Sequence, residues 1–192
     1  MWRVVSKKDR DMRIETERLV LREWQFSDVE KLIMLAGQEH IEYWMPDWRE
    51  YDKHASGWIK MVLSHYEINN PLEKFISWAV TLKEGGKLIG QVGIGCFNEL
   101  GEKEIGIGYW MDIGHTGQGY MTEAINAVAQ IAFKTYGYTH VIATIQPNNL
   151  PSRRVVEKAG FRYIKTVEFK DADQPGVLPF CYYKFENPAW IH

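Results

Sequence analysis

With 192 residues, 45% of them hydrophobic and 25% charged, the chain is long enough for one domain with a substantial core and has an ordinary globular balance. A formal net charge of −2 and a pI near 6.3 give no electrostatic case for a nucleic-acid partner. No stretch reads as a signal peptide or membrane span, and the widely separated Cys96 and Cys181 read as free thiols of a reducing compartment rather than a disulfide, so cytoplasm is the default.

Residues 1–13 read as a loose, basic N-terminal arm, and residues 14–192 as a single domain. Leu19 to Trp24 alternates as a first strand. Ser27 and Glu30 have the spacing of a capping box, which opens a short helix through Leu32, Ile33 and Leu35 that Gly37 can stop. From His40 to Tyr51 the aromatics gather around Pro46. Two readings stand: a loop or short helix folded onto the core, or an aromatic wall exposing Trp44 and Trp48 to a substrate. A second helix runs from about Asp52 to Tyr66, with Ala55, Trp58, Ile59, Val62, Leu63 and Tyr66 on one face. The six histidines lack metal-ligand spacing, and His54 and His65 read as surface residues.

From Phe75 the period changes to that of strands: 75–82, 88–97 and 104–112, joined by short glycine-containing turns as an antiparallel meander. The third strand enters Gly114-His115-Thr116-Gly117-Gln118-Gly119-Tyr120. A helix follows, with Ala124, Ala127, Val128, Ile131 and Ala132 on one stripe, and Gly137 ends it. Thr139 to Ile145 is a β-branched strand, so strand, helix and strand form a right-handed crossover and place one parallel pair in a mostly antiparallel sheet. Asn148 or Asn149 caps a short helix carrying Pro151 in its first turn and closed by Gly160. A last hairpin pairs 161–169 with 180–185 around residues 171–176. The whole predicts a single α/β domain of mixed sheet and flanking helices.

The glycine turn at a helix start is the chemical signal. The first amides of a helix have no intrahelical partner, and the aligned peptide dipoles place about +0.5 charge there. Glycines let the backbone approach an anion closely. No Lys-Ser/Thr follows Gly119, so a nucleoside triphosphate is unfavoured; the glycines fall in the reverse of dinucleotide spacing, with no acidic residue ending the next strand. Without a lysine in the turn, main-chain amides must carry the phosphate, which suits a diphosphate bridge. The alternative is a plain surface turn.

The element order, the run Thr116-Gly117-Gln118-Gly119-Tyr120-Met121-Thr122-Glu123-Ala124, and the later Asn149, Ser152 and Glu157-Lys158-Ala159-Gly160-Phe161 resemble the GNAT superfamily of acetyl-CoA-dependent N-acetyltransferases. The opening Thr16-Glu17-Arg18-Leu19-Val20-Leu21-Arg22 is similar to the branch with the ribosomal-protein N-terminal alanine acetyltransferases. The resemblance covers about residues 14–187. It implies acetyl-CoA as cosubstrate and no metal. The diphosphate falls to Gly117, Gln118, Gly119, Tyr120 and Met121 with the Thr122 hydroxyl; Thr116 stands where the family favours Gln or Arg. It implies that the central parallel strands splay and take pantetheine between them, against main-chain groups near Met111 and Ile113 and the side chain of Asn149. Arg153, Arg154 or Lys158 are candidates for the adenosine phosphate.

Acyl transfer to an amine needs a base, an oxyanion donor and a proton for the leaving sulfur. Glu104 is the candidate base from the family's placement of a carboxylate on this strand, against a reading as a strand-end charge. A strand amide near Met111 is the oxyanion donor by the same resemblance. The family's tyrosine acid falls on Val156, and Ser152 is the branch's substitute, against a reading as a local helix-turn hydroxyl. The acceptor is an amine: a protein N-terminus, or a small amine in a closed pocket lined by Trp44, Trp48 and Trp110. A third reading is a non-catalytic acetyl-CoA-binding module. Monomer and homodimer are both compatible, with neither nucleic acid nor membrane as partner.

Overall fold

Alternation along the strands sorts side chains to two faces, and two apolar clusters form, one on each face of a single sheet. The computed structural model describes residues 12–48, 53–170 and 176–190. Its eight strands are β1 (Ile14–Glu15), β2 (Leu19–Arg22), β3 (Ile76–Leu82), β4 (Leu88–Phe97), β5 (Glu104–Met111), β6 (His140–Ile145), β7 (Arg162–Lys170) and β8 (Val177–Glu186). They lie in the order β1-β2-β3-β4-β5-β6-β8-β7. Every neighbouring pair is antiparallel except β5–β6, which is parallel. That is the mixed sheet the sequence predicts, with the crossover helix supplying its one parallel pair.

Helix α4 (Tyr120–Lys134) covers one face. Its Ala124, Ile125, Val128 and Ala132 pack with Ile105, Ile107 and Met111 of β5, Val141 and Ala143 of β6, and Val156 of α5 (Leu150–Lys158). Small residues on α4 let the helix sit close to the sheet. The other face carries α1 (Val29–Ala36), α2 (Glu39–Trp44) and α3 (Ala55–Ile68). There Leu32, Leu35, Ile41, Ile59 and Val62 pack with Trp24, Trp48 and Trp110. A buried polar knot anchors this layer: the Trp24 indole and the Gln91 carboxamide both donate to the Ser77 hydroxyl, at 3.1 and 3.0 Å.

Several local expectations are corrected. The first strand stops at Arg22, preceded by the short β1. The α1 entry is closed by Asp28 rather than Glu30: its carboxylate accepts from the Gln25 amide at 2.9 Å and from both ends of the Arg22 guanidinium at 2.7 and 2.8 Å. A guanidinium two-pronged on a buried carboxylate outweighs a lone Ser27 hydroxyl. His65 is buried, not on the surface, because its Nδ1 bonds the Phe75 carbonyl at 2.9 Å. Residues 12 and 13 are not loose: the Met12 carbonyl accepts from the Trp78 indole at 2.8 Å and Arg13 pairs with Glu15. The rest of the expected arm, the start of the second helix at Asp52, and most of the turn between β7 and β8 lie outside the described residues.

Candidate functional site: a gap in the sheet leading to a glycine turn

The antiparallel neighbours β4 and β5 pair along their whole length, from Gly90↔Met111 to Phe97↔Glu104. The parallel pair β5–β6 touches in register only at Gly106↔Ile142, so the strands diverge beyond it. The Asp112 amide donates to the Ile89 carbonyl at 2.8 Å. By the alternation of an antiparallel ladder, the main-chain groups of Glu104, Gly106, Gly108 and Trp110 then face β4, and those of Tyr109 and Met111 face the gap. A strand-like ligand lying there would find a backbone edge ready to pair.

The gap opens toward the glycine turn. A 3-10 turn (Ile113–His115) carries the chain from β5 to Gly117 and Gly119, whose φ values of +74° and +84° suit glycine alone. No side chain caps α4 at Gly119, and the first helical bond runs from the Glu123 amide to the Gly119 carbonyl. The Tyr120, Met121 and Thr122 amides are therefore left for an anion. The Thr116 hydroxyl is turned away, donating to the Ile113 carbonyl at 2.9 Å.

Two expected pantetheine contacts are engaged within the chain. His40 Nε2 lies 2.9 Å from the Met111 carbonyl, and the Ile113 amide donates to Gln38 Oε1 at 2.9 Å. Gln38 Nε2 in turn reaches Asp112 at 2.8 Å, beside His115 Nδ1 at 2.7 Å. Burial of Asp112 works to raise its pKa but is outweighed by Gln38, His115 and the Gly114 amide, leaving it below the ordinary carboxylate range. Gln38, between α1 and α2, and His40, in the first turn of α2, thus splint the end of β5, a link that the sequence offers no local signal for.

On the α4–α5 face, Asn149 caps α5, its Oδ1 accepting from the Ser152 amide at 3.2 Å. Its carboxamide nitrogen has no partner among the described residues. The Ser152 hydroxyl lies 2.6 Å from the Tyr109 hydroxyl, which also donates to the Ser152 carbonyl at 3.1 Å. A tyrosine therefore does stand beside Ser152, but it comes from β5 rather than from α5. Burial raises the Tyr109 pKa well above that of a free phenol, and the Ser152 hydrogen bond only partly offsets it, so the phenol stays protonated. Strand periodicity would have placed Tyr109 on the same face as Met111; its pairing with Ser152 needed the crossover to be seen. Arg153 is committed elsewhere, to the Tyr183 hydroxyl at 2.9 Å and the Pro147 carbonyl at 3.1 Å, while Arg154 and Lys158 are exposed.

On the opposite face, Gly93, Gly95, Gly106 and Gly108 form a bare floor in register across β4 and β5, with the Phe75 ring lying on it. A Cβ on Gly93 would fall 2.5 Å from that ring and 2.6 Å from the Ile76 carbonyl. A cavity of about 290 Å³ opens there, lined by Lys74, Phe75, Cys96, Gly106, Ile142 and Thr144 among others. Glu104 stands two residues below Gly106. The Tyr182 hydroxyl bridges its two carboxylate oxygens at 2.7 and 2.8 Å, and His140 Nε2 lies 3.1 Å from Oε1. Burial first, then the Glu104 carboxylate, raises the pKa of Tyr182. A strand-end charge free in solvent would show neither partner.

The three tryptophans do not form a wall. Trp48 and Trp110 are 5% and 4% exposed, stacked edge-on at 5.3 Å in the core beneath α1 and α3. Trp44 is half-buried at the end of α2, against Tyr43. A core on this face needs large apolar side chains to fill the space between three helices and the sheet, and Trp24, Trp48 and Trp110 supply them.

Residues 18–162, well over half of the chain, match the family model described as the acetyltransferase (GNAT) domain. A relative in Bacillus subtilis (strain 168), the uncharacterized N-acetyltransferase YnaD, is 28% identical over 151 residues, 79% of this chain and 83% of that protein. Among solved structures, the ribosomal-protein-S5-alanine acetyltransferase from Vibrio fischeri superposes with a TM-score of 0.76 at 21% identity, over 95% of this chain and all (100%) of that one. RimJ of Mycobacterium smegmatis, in complex with CoA-disulfide, gives 0.73 at 23% identity, over 91% of this chain and 84% of its own.

Proposed function

Because the chain belongs to the acetyltransferase (GNAT) family, we propose that it moves an acetyl group from acetyl-CoA to the α-amine of a protein or peptide, in one step without an acyl-enzyme. The observation that carries the proposal is the continuity of two open backbone surfaces: the Tyr109 edge and the Met111 amide, which face the gap beyond the single β5–β6 bridge, lead to the uncapped start of α4. Acetyl-CoA supplies the acetyl group as a thioester. The amides from Gly117 to Met121 and the Thr122 hydroxyl would hold its diphosphate. The Asn149 carboxamide and the β5 edge would hold pantetheine, with the Met111 amide as oxyanion donor.

The sheet divides the labour. Glu104 stands on the face with the cavity, and Tyr109 with Ser152 on the face with α5. Glu104 and Tyr109 are separated by about 16 Å of strand at roughly 3.3 Å per residue, so Glu104 takes the amine proton through water. Ser152 gives its proton to the leaving sulfur, Tyr109 passes its own proton to the serine oxygen, and the phenol is restored at once by a proton from solvent, to which Glu104 releases the one it took from the amine. Cys96 lines the cavity, yet no histidine or carboxylate hydrogen-bonds it among the described residues, which leaves it unactivated as a relay.

The lining also bears on the acceptor. Its one carboxylate among the described residues is Glu73, accompanied by the cationic Lys74, and the rest is apolar, backbone or the neutral polar side chains of Cys96 and Thr144. A polycation such as a polyamine or an aminoglycoside needs several acidic partners to repay its desolvation. A single amine with a small side chain, as at a peptide N-terminus, needs fewer. Thiol release measured with DTNB across N-terminal peptides, polyamines and aminoglycosides tests this. Turnover on peptides is expected; turnover confined to polycations would overturn the peptide assignment, and CoA binding with no turnover on any amine would overturn catalysis. For the acid, Ser152→Ala is expected to lower kcat by on the order of 10² with CoA affinity unchanged. A change in CoA affinity alone would make Ser152 a binding residue.

A further inference from the structure

Arg18 lies about a hundred positions before the glycine turn in sequence and reaches it from the start of β2. Its Nε donates to Glu123 Oε2 at 2.8 Å, its main-chain amide to Glu123 Oε1 at 2.9 Å, and its Nη1 to the Gln118 carbonyl at 3.0 Å. The guanidinium lies 4.5 Å over the Tyr120 ring, and its Nη2 is 3.4 Å from where a Cβ on Gly119 would sit. Thr16 completes the group by donating its hydroxyl to Glu123 Oε1.

Glu123 alone is out of place. A carboxylate in the first turn of an anion-binding helix repels the anion that the helix dipole attracts. Here its side chain is only 14% exposed and fully engaged, so its charge is answered where it stands. The Gln118 contact matters more. In a planar trans peptide the C=O and the following N–H point in opposite directions, so a cation on the Gln118 oxygen sits behind the turn while the Gly119 N–H faces away from it. The cation polarises that peptide and fixes its orientation.

Resting on the acetyl-CoA reading above, we propose that Arg18 is a positioning residue for the diphosphate, bracing the glycine turn from behind through the Gln118 carbonyl and neutralising Glu123, without touching the reacting atoms. With no lysine or arginine in the turn, its own sequence offers the diphosphate main-chain amides and the Thr122 hydroxyl; the tertiary fold brings a guanidinium to its back.

Calorimetric titration of wild type, Arg18→Ala and Arg18→Lys tests this with two probes, CoA and adenosine 3′-monophosphate, which has no phosphate at the 5′ position. Arg18→Ala is expected to raise the Kd for CoA about tenfold, as for loss of one charge-assisted contact, and to leave that for the monophosphate unchanged. Arg18→Lys should recover part of the loss, since an ammonium restores charge without the fork. Equal weakening of both probes would make the role merely structural and overturn the proposal, as would unchanged CoA affinity. Wild-type protein that binds no CoA would instead overturn the acetyl-CoA reading itself.

Discussion

Glu104→Gln is expected to lower kcat by on the order of 10² to 10⁴ at saturating amine, the span over which a well-placed general base contributes, with CoA affinity unchanged. The substitution is chosen because glutamine keeps the shape and one acceptor oxygen, so the Tyr182 hydroxyl at 2.7 Å still has its partner and the junction of β5, β6 and β8 stays closed. What is lost is the carboxylate that accepts a proton. Glu104 is held by a phenol and by His140 rather than by a lysine or arginine. Steady-state rates at pH 7 decide the matter: wild-type turnover would remove Glu104 from the mechanism and leave the amine to lose its proton to water. A fall in CoA affinity together with rate would mark the variant as a structural lesion.

The second large effect concerns stability. Trp110→Ala is expected to lower the free energy of unfolding by about 3–5 kcal/mol, the usual cost of deleting a large buried aromatic ring. Trp110 is 4% exposed and touches Trp24 and Trp48, with ring centroids 6.5 and 5.3 Å away. Its indole nitrogen is buried with no hydrogen-bond partner among the described residues. Trp110→Phe therefore forfeits volume but no hydrogen bond, and is expected to cost less than half as much. Urea unfolding followed by tryptophan fluorescence and circular dichroism measures both. If Trp110→Ala unfolded like wild type and instead raised the KM for the acceptor, the ring would be a substrate wall and its assignment to the core would fail.

Much of the site is legible in the sequence because local rules act locally. Gly117 and Gly119 adopt φ values of +74° and +84°, and no other residue type enters that region as readily, so their spacing before an amphipathic run identifies an anion-binding helix start. Asn149 caps α5 because its carboxamide reaches the amide three residues on. Period-2 alternation places Glu104 on the opposite face of β5 from Tyr109 without any coordinates. The misreadings share one cause. Ser27 and Glu30 have capping-box spacing, but Arg22 draws Asp28 into the role. His65 has a surface residue's composition, yet the Phe75 carbonyl buries it. In each case a partner from outside the local window supplies more than the local contact does.

The sequence by itself determined most of the elements, the parallel pair within an antiparallel sheet, and the backbone chemistry of the glycine turn, since these follow from periodicity, chirality and the steric freedom of glycine. Only the tertiary structure decided which side chains meet across the sheet. Tyr109 with Ser152, Tyr182 and His140 with Glu104, Arg18 with the back of the turn, and Trp48 with Trp110 in the core are all contacts between distant segments. Their partners are selected by strand order and helix placement, which depend on how the whole apolar surface is buried.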